Sequence, residues 1–262
     1  MINQWKDKLA VITGASSGIG EALARKLAAQ GMQVLLVARR RERLEILAGE
    51  IRAAGGSARI LTADLRRAAD RARLCEQAGN ADVLVNNAGL GWYGYADQMS
   101  WKTAQEMVQV NVEAVVQLSL AFLARMRLRN AGHIINIGSI SGCLPSQGIA
   151  LYGATKSFLD AFTTALHREL TGTHVHVSVV RAGPVKTEFG EAALALENGG
   201  HVPTEKIGVS SERVAERVWT LLQHPRRFLY VPGYLRLVPW LELSFGWIID
   251  RLGPLLLKKH KA

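Results

Sequence analysis

Cys75 and Cys143 are the only thiols in 262 residues, too few to build a disulfide framework. That scarcity fits a reducing, cytoplasmic compartment. Long apolar runs are missing as well. The most apolar region, Leu237 to Leu257, is interrupted by Pro239, Glu242, Asp250, Arg251 and Pro254, so no unbroken membrane span is expected. The opening MINQWKDKLA lacks the apolar centre of a signal peptide and runs straight into a strand. Acids are scarce beside bases, 22 against 32, which leaves a formal charge of +10. The surplus does not mark a nucleic-acid groove. Its cations gather in ARRRER (38–43) and LLLKKHKA (255–262), and neither cluster is interleaved with aromatics. Local anionic ligands explain them better, and no nucleic-acid partner is expected. No repeat, low-complexity tract or Pro/Gly/Ser linker divides the chain.

What is present is an alternation of strand and helix patterns in a chain that is 48% apolar. Apolar runs at 9–15, 34–39, 58–65, 82–89, 133–139, 175–183 and 228–231 read as strands. Helical patterns lie at 20–30, 41–54, near 67–78, and at 100–129, 149–171 and 211–223. Strands this apolar, without polar alternation, are covered on both faces. The expectation is therefore an α/β fold: a Rossmann-like, doubly wound parallel sheet in a three-layer α/β/α single domain over 1–232. An apolar and basic C-terminal extension, 233–262, follows it.

TGASSGIG (13–20) sits where the first strand becomes a helix. Gly14, Gly18 and Gly20 allow a tight turn and let a pyrophosphate approach the backbone. The helix N-terminus beyond supplies N–H groups and positive dipole for the anion. The spacing is G-x3-G-x-G rather than G-x-G-x-x-G, so the glycines alone are a weak signal. Such sites place an acid at the end of the second strand for the ribose hydroxyls. Here that strand ends in Ala38, Arg39 and Arg40, with no acid until Glu42. Arginine there suits a 2′-phosphate, so NADP(H) is expected in preference to NAD(H).

LYGATKSF (151–158) stacks Tyr152 and Lys156 on one helical face. A lone Y-x3-K is cheap, but its neighbours are not random. Ser139 ends the 133–139 strand, Asn86, Asn87, Ala88 and Gly89 end another, and Asn111 lies inside a helix, where asparagine is locally unfavourable. All the strand ends lie at the carboxyl edge of a parallel sheet, where ligands bind. A cation beside a phenol lowers its pKa; a shift of roughly three units asks about 4 kcal/mol of the site. A phenol tuned in this way is a candidate for acid–base chemistry.

Taken together, TGASSGIG, Asp64, NNAG, Asn111, Ser139, Tyr152, Lys156 and Gly183-Pro-Val-Lys-Thr187 resemble the short-chain dehydrogenase/reductase family over about residues 8–190. The resemblance implies hydride transfer between a nicotinamide cofactor and a carbonyl or alcohol. It implies catalytic Asn111, Ser139, Tyr152 and Lys156, with Ser139 on the reacting oxygen, Lys156 also on the nicotinamide ribose and Asn111 holding a water. For the cofactor it implies Gly14, Ser16, Ser17, Gly18, Ile19, Gly20, Arg39, Arg40, Asp64, Leu65, Asn87, Ala88, Gly89, Tyr152, Lys156, Gly183, Val185 and Thr187. Family members commonly carry Pro-Gly where this chain has Ala182-Gly183, a change in how firmly that loop is held.

The family builds its substrate pocket from segments corresponding to 90–98, 139–150 and 188–206. Here Trp92, Tyr93, Tyr95, Leu144 and Phe189 suggest an apolar pocket for a hydrophobic, lipid-like substrate, and 188–206 reads as a flexible lid. His174 and His176 alternate along a strand without an evident third ligand, so no metal is expected. Cys143 reads as a packed small residue. Trp240, Phe245, Trp247 and the terminal lysines read either as a peripheral membrane contact or as a stripe packed on protein. The resemblance also implies a homodimer or homotetramer. A non-enzymatic NADP(H)-binding scaffold or regulator is the alternative function.

Overall fold

The computed structural model describes residues 4–200 and 208–256. Seven strands form one parallel sheet in the order β3-β2-β1-β4-β5-β6-β7. They are β1 (Leu9–Thr13), β2 (Gln33–Ala38), β3 (Ser57–Thr62), β4 (Val83–Asn86), β5 (Gly132–Ile137), β6 (Val175–Ala182) and β7 (Phe228–Val231). The order reverses between β1 and β4, which opens a crevice at their carboxyl ends.

The apolar runs are continuous because alternate residues feed two different cores. Ala10, Ile12, Val34 and Leu36 face helices α1 (Gly18–Ala29), α2 (Arg41–Ala53) and α8 (Ser211–Gln223). Val11, Leu35, Val37 and Leu84 face α3 (Ala68–Gln77), α5 (Ala114–Arg129) and α6 (Ala150–Glu169). Burying both faces ties each strand to its register, since a one-residue slip would exchange the two sets. The Ser210 hydroxyl caps α8 by accepting from Arg213 N, and Asn130 ends α5 in the left-handed region at φ +48°.

The helix expected over 100–129 is not uniform. It runs as α4 (Trp101–Val108), one π-helical turn (Gln109–Glu113) and then α5. Trp101–Arg129 is long and apolar enough to cross a membrane, but half of its apolar stretch is buried against the protein. β1, β3, β4 and β5 end before the apolar runs that announced them, where the chain leaves the sheet to build the crevice, whereas β7 spans its expected run. The expected lid begins as a short helix, α7 (Phe189–Leu194). It continues in contact with the 90–98 loop: Trp92 Nε1 donates to Glu197 O at 3.0 Å, and Gly200 N to Tyr93 O at 2.6 Å. Residues 201–206 of that segment lie outside the described residues. After β7, a short 3-10 turn (Gly233–Leu237) leads into α9 (Val238–Leu256).

Candidate active site

A cavity of about 570 Å³ lies over the carboxyl ends of β1, β4, β5 and β6. Gly14, Ser16, Ser17, Gly18, Ile19, Arg39, Arg40, Asp64, Leu65, Asn87, Ala88, Gly89, Ser139, Tyr152, Lys156, Gly183, Val185 and Thr187 all line it. Two expected site residues, Gly20 and Asn111, stand behind the wall instead.

The glycine turn is a cradle that no side chain could occupy. Gly14 and Gly18 sit at φ +66° and +56°. A Cβ at Gly18 would stand 2.8 Å from Thr187 Cγ2, and one at Gly20 would stand 2.3 Å from Gly14 O. Ser17, the N-cap of α1, makes no side-chain cap bond, so the first N–H groups of that helix have no side-chain partner. A pyrophosphate fits those donors. Thr13 holds the neighbouring turn in place: its hydroxyl donates to Val85 O and accepts from Asn87 N and Ala88 N, both at 3.0 Å. Asn87 Nδ2 donates back to Thr13 O at 2.9 Å. Thr13 was not singled out from the sequence; its only signal is that it ends the first strand.

The two expected arginines behave differently. Arg39 is exposed on the cavity wall and makes no hydrogen bond or ion pair among the described residues. Arg40 is already engaged. Its Nη2 donates to Ser17 Oγ at 2.7 Å and Ser16 Oγ at 3.0 Å, and its Nη1 to Glu188 Oε2 at 2.9 Å. Arg43 Nη1 donates to the other Glu188 oxygen at 2.5 Å. Arg43 and Arg40 together hold the Glu188 carboxyl below its usual range. Asp64 is gripped by Arg66, whose Nη2 lies at 2.6 Å, and this guanidinium keeps its carboxylate ionised.

At the other end, Tyr152 and Lys156 rise from the first turns of α6 and Ser139 caps the turn after β5. All three are buried. Burial pushes the Tyr152 phenol well above its ordinary pKa; Tyr93 adds to this, and a hydrogen bond with Ser139 opposes it. Lys156 does not bond the phenol. Its Nζ donates to Ile137 O at 3.0 Å and lies 5.7 Å from the Tyr152 ring centre. Burial lowers the Lys156 amine to about 8, with Asp160 pulling the other way. The activation of tyrosine by lysine expected from their spacing is therefore not what sets the phenol here; desolvation outweighs it.

Asn111 explains the π-helical turn. Its Oδ1 accepts from Leu90 N at 2.8 Å, and its Nδ2 donates to Leu90 O at 2.9 Å and to Thr155 Oγ1 at 3.1 Å. Widening the helix aims the side chain at that clamp, which satisfies a polar group that is otherwise buried. Thr155 in turn donates to Tyr152 O at 2.8 Å, so Asn111 steadies the turn that carries the tyrosine.

A further cluster escaped sequence reading. Asp160, one turn beyond Lys156, accepts from Arg181 Nε at 3.1 Å and Cys143 Sγ at 3.3 Å. Burial and the neighbouring Asp160 push the Cys143 thiol up to about 12. Cys143 therefore faces this adjoining cleft and not the main cavity. Ser157 Oγ donates to Gly142 O at 2.8 Å, and a Cβ on Gly142 would meet the Lys156 backbone at 2.8 Å. The Ser139 loop and α6 are thus fastened together.

The substrate end is apolar in part. Tyr93 and Phe189 line the cavity and flank Tyr152 with ring centres at 6.2 and 5.8 Å. Trp92, expected in the pocket, is packed into a small core with Met107, and Tyr95 is exposed. Leu144 does not line the cavity.

The family model described as "short chain dehydrogenase" matches residues 8–197. An NADP-dependent 3-hydroxy acid dehydrogenase of Shigella flexneri is 37% identical over 219 residues, covering 80% of this chain and 87% of that protein. Among solved structures, a short-chain dehydrogenase from Sphingobium yanoikuyae in complex with NADPH aligns with TM-score 0.81 and 28% identity, over 97% of this chain and 98% of that one. The closed form of a serine dehydrogenase complexed with NADP+ aligns with TM-score 0.77 and 34% identity, over 85% and 93%.

Proposed function

The chain belongs to the short-chain dehydrogenase family, and on that premise we propose that it is an NADP(H)-dependent oxidoreductase acting on a hydrophobic, lipid-like carbonyl or alcohol. The observation that carries this reading is one cavity lined at one end by the glycine cradle and Arg39, which makes no hydrogen bond or ion pair among the described residues, and at the other by Tyr152, Ser139 and Lys156. Bound there, the nicotinamide supplies or accepts the hydride. Tyr152, buried and protonated near neutrality, gives its proton to the oxygen that becomes alkoxide in reduction. Ser139 stands beside the Tyr152 phenol and stabilises negative charge developing on that oxygen. Lys156 puts a cation at the inner wall of the cavity, and Arg39 takes the 2′-phosphate.

The Shigella relative raises a 3-hydroxy acid as a second substrate class. The cavity favours an uncharged one. Around Tyr93, Ser146, Gln147, Ile149 and Phe189 the described residues offer only Lys156, which is bound to Ile137 O, as a cation to hold a carboxylate. A purely regulatory role would not require the Tyr152–Ser139 pair. The outward Leu120 and Leu128 of α5 and the stacked Phe158–Phe162 pair of α6 support a homodimer or homotetramer. The apolar α9 supports peripheral membrane contact, and two free cysteines suit a reducing cytoplasm.

The test is titration with NADPH and NADH, followed by NADPH oxidation against aldehydes, ketosteroids, long-chain 3-oxo lipids and quinones. Tighter NADPH binding and turnover of the apolar ketones are expected. Equal NADH binding, or turnover confined to short hydroxy acids, overturns the reading.

A further inference from the structure

Helix α9 is built inside out. Trp240, Leu241, Leu243, Phe245 and Trp247 are each 51% to 81% exposed. At 3.6 residues per turn they fan over about 200° of the helix surface. The half-covered side carries Val238, Pro239, Glu242 and Gly246 instead. Glu242 is folded along the helix toward Gly246, and its Oε2 is buried with no hydrogen-bond partner among the described residues. A helix packed on a water-soluble body turns its apolar stripe inward and its carboxylates outward. Here the apolar arc faces outward and Glu242 inward, while Asp250 stays exposed.

The width and the charge identify the partner. One protein face covers a stripe of roughly 100°, half of what α9 exposes, whereas lipid wraps whatever is presented to it. The tryptophans suit the polar–apolar boundary of a bilayer. Between 233 and 262 the sequence holds five cations, Arg236, Arg251, Lys258, Lys259 and Lys261, against the two carboxylates Glu242 and Asp250. Such a segment is attracted to an anionic surface. The helix spans about 28 Å, but Glu242, Asp250 and Arg251 suit it to lying in the interface and not to crossing.

The same segment touches the active site. The turn before α9 packs Leu235 against Gly183, where a Cβ would stand 2.8 Å from Leu235 Cδ1. Gly183 lines the cavity and donates its N–H to Val231 O at 2.8 Å. We infer that α9 docks the protein on anionic bilayers and holds the cavity beside the lipid surface, so that apolar substrate reaches Tyr152 from the membrane. The last clause rests on the substrate reading above; the docking does not.

The experiment is co-sedimentation of the full chain with vesicles of phosphatidylcholine plus phosphatidylglycerol, and with phosphatidylcholine alone. Binding to the anionic vesicles that weakens with salt is expected. Trp240→Glu with Trp247→Glu lowers it about tenfold or more, and NADPH affinity stays within about twofold. Absence of binding by the intact chain overturns the proposal. So does a dimer in solution that the same double substitution dissolves, because a second copy then covers the helix. Loss of NADPH binding in the intact chain would count against the cofactor reading, and the sedimentation result would stand apart from it.

Discussion

The Lys156 ammonium lies 5.7 Å from the centre of the Tyr152 ring and spends a hydrogen bond on the Ile137 carbonyl, not on the phenol. Two buried groups are thereby shifted in opposite directions by the same cause. The tyrosine holds its proton more firmly and the lysine holds its proton less firmly.

Replacing Tyr152 by Phe removes the proton donor while leaving the ring that packs between Tyr93 and Phe189. Ketone reduction should fall by about 10²- to 10⁴-fold, with NADPH affinity preserved. Steady-state turnover beside fluorescence titration measures both. Turnover within a few fold of the parent protein would remove Tyr152 from the chemistry.

Lys156, lowered to about 8, loses its charge just above neutrality in the free protein. The kcat/KM profile for reduction should therefore bend downward near pH 8, because that parameter reports groups on the free enzyme. Lys156→Arg keeps the cation at every working pH, so the bend should move upward beyond the measured range. A bend unmoved in the arginine variant assigns it to another group.

Among the described residues Arg39 makes no hydrogen bond or ion pair, although its charge acts on Asp64, whereas Arg40 holds Ser16, Ser17 and Glu188. Removing a charged hydrogen-bond donor costs about 1.5–3 kcal/mol. Arg39→Ala should therefore weaken NADPH by about 10- to 100-fold and barely affect NADH, as read by isothermal titration. Arg40→Ala should weaken both dinucleotides, since it also releases the glycine turn. Equal losses in the two variants would show that the arginines act together.

His133 is buried with its Nε2 at 2.8 Å from Ser178 Oγ. That serine donates its own proton to Arg226 O at 2.6 Å, so the imidazole must donate at Nε2, and Nδ1 has no partner among the described residues. Burial, with the nearby His176 and His167, lowers the ring to about 3. An unfolded histidine titrates at about 6.5, so below that pH the unfolded chain binds the extra proton first. This contribution to stability is complete above pH 6.5 and drains as pH falls toward 3, by at most about 1.4 kcal/mol per unit. Urea midpoints against pH should show the slope, and His133→Leu should flatten it. An equal slope in the variant places the acid sensitivity elsewhere.

Asp160 joins β6, α6 and the Ser139 loop through Arg181 and Cys143. Breaking one side of a buried ion pair costs about 3–5 kcal/mol, so Asp160→Asn should lower the denaturation midpoint clearly. It should also speed alkylation of Cys143, whose thiol the carboxylate keeps protonated. Mass spectrometry after timed alkylation follows this. A thiol no faster in the variant would mean that packing alone protects it.

Much of the architecture was readable from short stretches. The apolar runs announced strands covered on both sides, and TGASSGIG announced a turn that tolerates no side chain. Both are local properties of a few consecutive residues. The π-helical turn was less visible: Asn111 looked out of place in a helix, but nothing nearby showed that Leu90 would satisfy it. Trp92 was read into the pocket because aromatics near an active site invite that reading; its indole instead reaches Glu197, more than a hundred residues away. Arg39 and Arg40 looked interchangeable until Glu188 separated them.

The sequence by itself determined the layered α/β fold and the phosphate-ready turn. Each follows from backbone preference or from periodicity, which the chain carries wherever it lies. Tertiary structure alone decided which charge feels which neighbour: Lys156 turned toward Ile137, His133 left neutral, Asp160 shared between Arg181 and Cys143, and the apolar arc of α9 facing outward. Those outcomes depend on burial and on partners distant along the chain. Electrostatic energy and desolvation are set by that three-dimensional company and not by spacing along a helix.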